Sequence, residues 1–166
     1  IDLLFQPVPE RTGLLQKLQP AVIIINDVIT TLDKLPDNFI RFNGWAGFLK
    51  REILEAACND EKTKSIAGNI FGLFNKKVEW VDDSPGFISA RVISMIINEA
   101  YFALGEGVSS KEEIDTAMKL GTNYPMGPFE WGINIGLKNV SGLLSALAEI
   151  NPRYTPAELL KQEIFI

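Results

Sequence analysis

Over the first 84 residues, short runs of β-branched and aromatic side chains alternate with helical stretches; from residue 85 onward only helical periodicity remains. Strands are predicted at 1–5, 21–26, 39–42, 52–56 and 77–81. Helices are predicted at 10–18 and 61–74, the second carrying Ile66, Ile70, Leu73 and Phe74 on one side. Strands separated by helices argue for an α/β layer with parallel strands. Residues 87–104 read as one long helix, apolar on more than one face and stopped by Gly105-Glu106-Gly107. Ser110 to Glu113 forms a capping box that opens a helix to Leu120, and Thr155, Pro156 and Glu158 form a second. The fold class is therefore α/β followed by all-α, with domains at 1–84 and 85–166. A helix apolar around most of its circumference needs cover on several sides, which points to a partner subunit or to the α/β part of the same chain.

Composition narrows the classes of function. With 46% hydrophobic residues and ten Phe, the 166-residue chain can build a core and is not disordered. The longest apolar run, 21–25, is far too short to span a bilayer, so no membrane is expected. A net charge of -5, a pI near 4.8 and scattered cations argue against nucleic acid as a partner. The single cysteine, Cys58, excludes an internal disulfide and suits a reducing cytoplasm. One thiol and no histidine leave no credible zinc or haem site, so no metal is expected. The chain begins on Ile1, directly on a strand-like run, and an upstream segment is expected.

The segment from Asp115 to Glu130, with Leu120-Gly-Thr-Asn-Tyr-Pro-Met-Gly-Pro-Phe129 at its centre, resembles the signature of the 3-hydroxyacyl-CoA dehydrogenase C-terminal domain almost letter for letter. Ser84-Pro-Gly-Phe-Ile-Ser-Ala-Arg91 is similar to that family's Pro-Gly-Phe-Ile-x-Asn-Arg stretch, and Asn98-Glu-Ala100 to a triplet on its long helix. Asn151-Pro-Arg-Tyr-Thr-Pro156 resembles the start of its closing helix. Towards the N-terminus the likeness is thinner. Asp2-Leu-Leu-Phe with Val8-Pro-Glu10 resembles the fourth strand and turn of the family's dinucleotide domain. Asn26 resembles the asparagine of an Asn-Thr-Ser segment, and Phe42-Asn43 resembles part of a His-Phe-Phe-Asn-Pro strand.

The resemblance implies a Rossmann-like domain for NAD, here only its later part, joined to a helical domain that forms a homodimer, with acyl-CoA as ligand. It implies cofactor contacts at Gln6, Glu10 and Asn26, and substrate contacts at Asn43, Trp45, Lys50 and Arg91. Trp45 and Phe48 are expected to stack on adenine or pack on an acyl chain, and Lys50, Arg51, Lys76 and Lys77 to meet phosphates. The family's base is a histidine paired with a glutamate twelve residues on; counting from Phe42-Asn43 places the histidine at Ile40 and the glutamate at Glu52. Isoleucine carries no proton. A dinucleotide also needs a glycine-rich turn between strand and helix, and the chain contains none. Gly105-Glu-Gly107 is expected to be only a helix stop, and Gly132 and Gly136 to permit close packing. Other family positions, polar ones and the proline that closes the histidine strand, are occupied by Leu15, Val28, Ala90 and Ile133, and by Gly44. The expectation is a catalytically impaired homologue of acyl-CoA metabolism; the alternative is a working NAD-dependent 3-hydroxyacyl-CoA dehydrogenase completed by an upstream cofactor segment.

Overall fold

The computed structural model describes residues 1–164, and the chain divides into two compact units, Ile1–Ile88 and Ser89–Ile166. The first unit is α/β. Its sheet runs β1 (Ile23–Asn26), β2 (Phe39–Phe42), β3 (Ile53–Ala57), β4 (Lys77–Trp80), in that spatial order. β1 and β2 are parallel, as are β3 and β4, but β2 and β3 are antiparallel, so the sheet is mixed rather than wholly parallel. The reason is the length of the connection: only residues 43–52 join β2 to β3, too few for the crossover that returns a chain to a parallel neighbour.

The strand expected at 1–5 is reduced to one bridge, Asp2 opposite Ile25. Asp2 Oδ1 accepts from the Leu4 N–H at 3.1 Å, an Asx-type turn that bends the chain out of extension. α1 (Pro9–Gln16) follows, starting on a proline and burying no residue. α2 (Glu61–Gly72) is capped by Asp60, whose carboxylate accepts the Thr63 N–H at 2.7 Å. It ends before the expected residue 74, because Asn75 turns left-handed at φ 55° and leaves Leu73 and Phe74 exposed.

Alternation along the strands sorts the core. Ile24, Ile40, Phe42, Leu54 and Ala56 cluster with Ala67 and Phe71 of α2. Phe42 and Phe71 meet edge-on with centroids 5.4 Å apart. Beside this core lies an apolar cavity of about 270 Å³, lined mainly by Leu3, Phe42, Leu49, Leu54, Phe71 and Phe74.

The second unit is helical among its described residues: α3 (Ser89–Gly105), α4 (Lys111–Thr122), α5 (Pro128–Ile135), α6 (Leu137–Ala148) and α7 (Glu158–Glu163). α3 packs against α5, α6 and α7. It stops where Gly107 turns left-handed at φ 72°. The Ser110–Glu113 box forms as expected, with Ser110 Oγ accepting the Glu113 N–H at 3.3 Å. The box expected at Thr155 does not. Thr155 Oγ1 donates back to the Pro152 carbonyl at 2.6 Å, and the residue preceding α7 is Ala157. Its N–H donates instead to Asn98 Oδ1 of α3 at 2.8 Å, while Asn98 Nδ2 donates to the Thr155 carbonyl at 2.9 Å. Asn98, 1% exposed, thus pins the corner that opens α7.

Candidate functional site

β2 and β3 carry the candidate polar residues of the first unit. Because Ile40 and Phe42 face α2, Arg41 and Asn43 point to the opposite side of the sheet. On β3, Leu54 and Ala56 face α2, so Glu55 shares the side of Asn43. The Asn43 N–H donates to the Glu55 carbonyl at 2.9 Å, and its Nδ2 donates to Glu55 Oε2 at 3.2 Å. Asn43 Oδ1 accepts the Trp45 N–H at 3.4 Å. Asn43 is buried at 1% exposure and Glu55 is half-buried.

The structure does not bring Ile40 and Glu52 together. Ile40 is 0% exposed in the core beneath α2, on the wrong side of the sheet for a ligand. Glu52 lies just before β3, its side chain 67% exposed and bonded to Lys77 at 2.6 Å; that hydrogen bond, more than the attraction of the charge, lowers the Glu52 pKa. Asn43 and Glu55 are themselves twelve residues apart. A carboxylate in the middle of the apolar strand Ile-Leu-Glu-Ala-Ala was the signal that could have found Glu55.

The other predicted contacts scatter. Trp45 and Phe48 are buried at 7% and 5%, so neither is an open stacking surface. Lys50 is exposed, and Arg51 lies over the Phe48 ring at 4.3 Å. Lys76 Nζ donates to the carbonyls of Leu49 and Arg51 at 2.7 and 2.9 Å, stapling the loop that follows β2 rather than facing a phosphate. Gln6 and Glu10 are exposed around the start of α1. The Asn26 amide is occupied: Oδ1 accepts the Gly44 N–H at 3.0 Å and Nδ2 donates to the Leu3 carbonyl at 3.1 Å. A Cβ at Gly44 would sit 2.7 Å from Asn26 Cγ, so glycine there permits this clamp.

Sequence reasoning also missed Arg41, which is completely buried. Its Nε donates to Asp83 Oδ1 at 2.5 Å, Nη1 to the Asp27 carbonyl at 3.3 Å and Nη2 to the Ser84 carbonyl, and the guanidinium lies 4.2 Å from the Phe87 ring centre. Burial lowers the Arg41 pKa, opposed chiefly by Asp83.

In the second unit, Arg91 and Arg153 flank the Tyr154 ring at 5.9 and 5.1 Å. With Val92, Met95, Ile96 and Glu99 of α3 they line a shallow groove of about 400 Å³. The signature loop is held by Asp115, which accepts the N–H groups of Phe129 at 2.8 Å and Glu130 at 3.2 Å. Gly127 has φ -74°, an ordinary value, so no unusual backbone conformation calls for glycine there. A Cβ there would lie 2.2 Å from Asp115 Cγ, and close approach is the reason for glycine. Gly136, at φ 91°, forms the turn between α5 and α6, whereas Gly132 lies close to Leu137.

Residues 86–164 match the model of the 3-hydroxyacyl-CoA dehydrogenase C-terminal domain. The chain belongs to the 3-hydroxyacyl-CoA dehydrogenase family. It is 40% identical over 116 residues to the 3-hydroxyadipyl-CoA dehydrogenase of Escherichia coli, a match covering 69% of this chain and 24% of that protein. It is 33% identical over 156 residues to a 3-hydroxybutyryl-CoA dehydrogenase of Bradyrhizobium diazoefficiens, covering 86% and 53%. The crystal structure of (S)-3-hydroxybutyryl-CoA dehydrogenase from Ralstonia eutropha superposes with a TM-score of 0.83 at 26% identity, over 95% of this chain and 62% of that one. The chain thus spans from about a quarter to about half of the curated family members named here. Among the described residues no helix is long and apolar enough to cross a membrane, and no cluster of three or more His, Cys, Asp or Glu is placed to hold a metal.

Proposed function

We propose that this chain is an acyl-CoA-binding, self-associating member of the dehydrogenase family that lacks the base needed to oxidise a 3-hydroxyacyl thioester. The observation that carries this reading is the Asn43–Glu55 pair. It has the twelve-residue separation and mutual contact of the family's histidine–glutamate pair, in a chain with no histidine at all. An amide nitrogen has no titratable lone pair near neutral pH, so Asn43 orients Glu55 but takes no proton. Loss of a positioned general base costs roughly 10² to 10⁴ in rate.

α1, which follows the likeness to the fourth strand, is entered through Val8-Pro9 and offers no phosphate cradle of its own. The Asn26 amide is committed to Gly44 and Leu3. Association is assigned to α3, whose outer side exposes Val92 and Phe102 at 53% and 41% beside Met95 and Ile96. Similarity to working dehydrogenases over 95% of the chain favours the second reading, a functional enzyme completed by a cofactor segment outside this sequence.

Acetoacetyl-CoA reduction followed by NADH absorbance, together with calorimetry of acyl-CoA and of NADH, separates the two. Heat from the thioester without NADH turnover supports the binder, and turnover at ordinary dehydrogenase rates refutes it.

A further inference from the structure

The α2 side of the sheet holds a hollow that its own side chains leave unfilled. Phe42, Leu54 and Phe71 of the core line it, and its volume is about 270 Å³. Ile1, Leu3 and Phe74 line it too, yet stay 57%, 49% and 60% exposed, so three large apolar side chains stand wet around one opening. Asn75, left-handed at φ 55°, turns the chain just after Phe74 and brings Lys76 to the same cavity. Lys76 is the lining residue with a polar side chain. Its half-buried ammonium carries three protons, of which the Leu49 and Arg51 carbonyls accept two at 2.7 and 2.9 Å. Among the described residues no carboxylate pairs with it. A cation drawn partly out of water is costly without a counter-charge, and neutral carbonyls answer it only in part.

We propose that this cavity binds a medium-chain fatty acid, its hydrocarbon chain against Phe42, Leu54 and Phe71 and its carboxylate on the third proton of Lys76. A dry apolar cavity of roughly 150 Å³ accepts benzene, so the hollow suits a chain of roughly eight to ten carbons. One remaining proton on a point charge suits a carboxylate oxygen better than a phosphate, whose several oxygens call for several donors. The same chain also occurs in an acyl thioester, but there the head is a neutral carbonyl and brings Lys76 no charge. The cavity lies on the opposite side of the sheet from Asn43 and Glu55, so the proposal does not depend on acyl-CoA binding there.

Calorimetry on the full chain tests this with straight-chain carboxylates from butanoate to tetradecanoate, with 1-octanol and with octanoyl-CoA. Octanoate is expected to saturate one site per chain. Each methylene added to butanoate should tighten binding about fourfold, and the gain should stop beyond roughly ten carbons. 1-Octanol, which keeps the chain and loses the charge, should bind about tenfold more weakly than octanoate. Lys76→Met should bring octanoate down to the alcohol and leave the alcohol unmoved; thermal unfolding confirms that the variant is folded, and the alcohol comparison needs no substitution. Leu3→Trp, at the opening and outside the helices and strands, should abolish binding of both. An alcohol as tight as the acid, affinity that climbs past the tenth carbon without saturating, or octanoyl-CoA that displaces octanoate as readily as octanoate itself overturns the proposal. So does silence with octanoate, the result expected where another stretch of polypeptide or a second copy fills the hollow, and it leaves the acyl-CoA reading untouched.

Discussion

Replacement of Arg41 by methionine is expected to be among the most damaging single changes in the first unit. The substitution keeps an unbranched apolar stem but deletes the donors to Asp83, to the Asp27 carbonyl and to the Ser84 carbonyl. Asp83 retains the Leu32 N–H at 2.7 Å, yet loses its cation, and Asp27 Oδ2, already buried without a hydrogen-bond partner, loses a compensating charge. Stripping one partner from a buried pair costs about 3–5 kcal/mol. The Asp83 side chain is 20% exposed, so water relieves part of the stranded charge and the lower end, about 3 kcal/mol, is expected. That is a large share of the roughly 5–15 kcal/mol that holds a domain together. Urea unfolding in a Trp131→Phe background reports the first unit, because Trp45 and Trp80 then supply the fluorescence. Arg41→Met should lower the midpoint at constant slope, and adding Asp83→Asn should recover part of the loss, since no stranded charge remains. A loss below about 1 kcal/mol, or a double variant no better than the single one, would refute the clamp.

Asn43→His places the chain's only imidazole beside Glu55, and the adjacent carboxylate should raise its pKa above the ordinary value of about 6.5. Proton NMR titration reads that single ring, and an ordinary pKa unmoved by Glu55→Gln would contradict the assignment. Gly127→Ala drives a Cβ against Asp115 and should destabilise the second unit by roughly 1–3 kcal/mol in thermal melts; an unchanged midpoint would refute the close approach. The Glu113 pKa is lowered, first by the Ser109 hydroxyl and then by Ser110. Its contribution should therefore be complete above the unfolded carboxylate pKa of about 4.3 and vanish as pH falls through the lower folded value. Melts of Glu113→Gln, which keeps the box but not the charge, should converge on those of the parent in acid and diverge towards neutrality; a pH-independent gap would rule this out. Val92→Lys should shift self-association on α3 towards monomer in light scattering, and an unchanged mass would remove α3 from the interface.

How much of this was legible in the sequence depended on whether a feature is local. The Ser110–Glu113 box and the stop at Gly107 are fixed by neighbours within a turn, and both stand where the pattern placed them. The closing helix shows the limit of local reading: Thr155 has suitable chemistry for a cap, but Asn98, more than fifty residues away, takes the corner instead. No local pattern announces that competition. Gly127 is similar, because its need for glycine lies in Asp115 on another helix and not in its own backbone angle.

Ile40 and Glu52 are kept apart for a related physical reason. A count of residues is blind to which side of a sheet it lands on, whereas strand alternation is not. Ile40 and Phe42 share parity and together fill the α2 side, so the polar groups on the opposite side are Arg41 and Asn43. Arg41 is locked to Asp83, which leaves Asn43. From there the antiparallel register, Arg41 opposite Ala57 and Phe42 opposite Ala56, brings Glu55 opposite Asn43 without any reference to a relative. The two polar residues that interrupt apolar strands, Arg41 in Phe-Ile-Arg-Phe and Glu55 in Ile-Leu-Glu-Ala-Ala, were therefore the informative letters. A buried charge within a strand is costly unless something answers it, and asking what answers each one leads first to the Arg41 clamp and then to the Asn43–Glu55 pair.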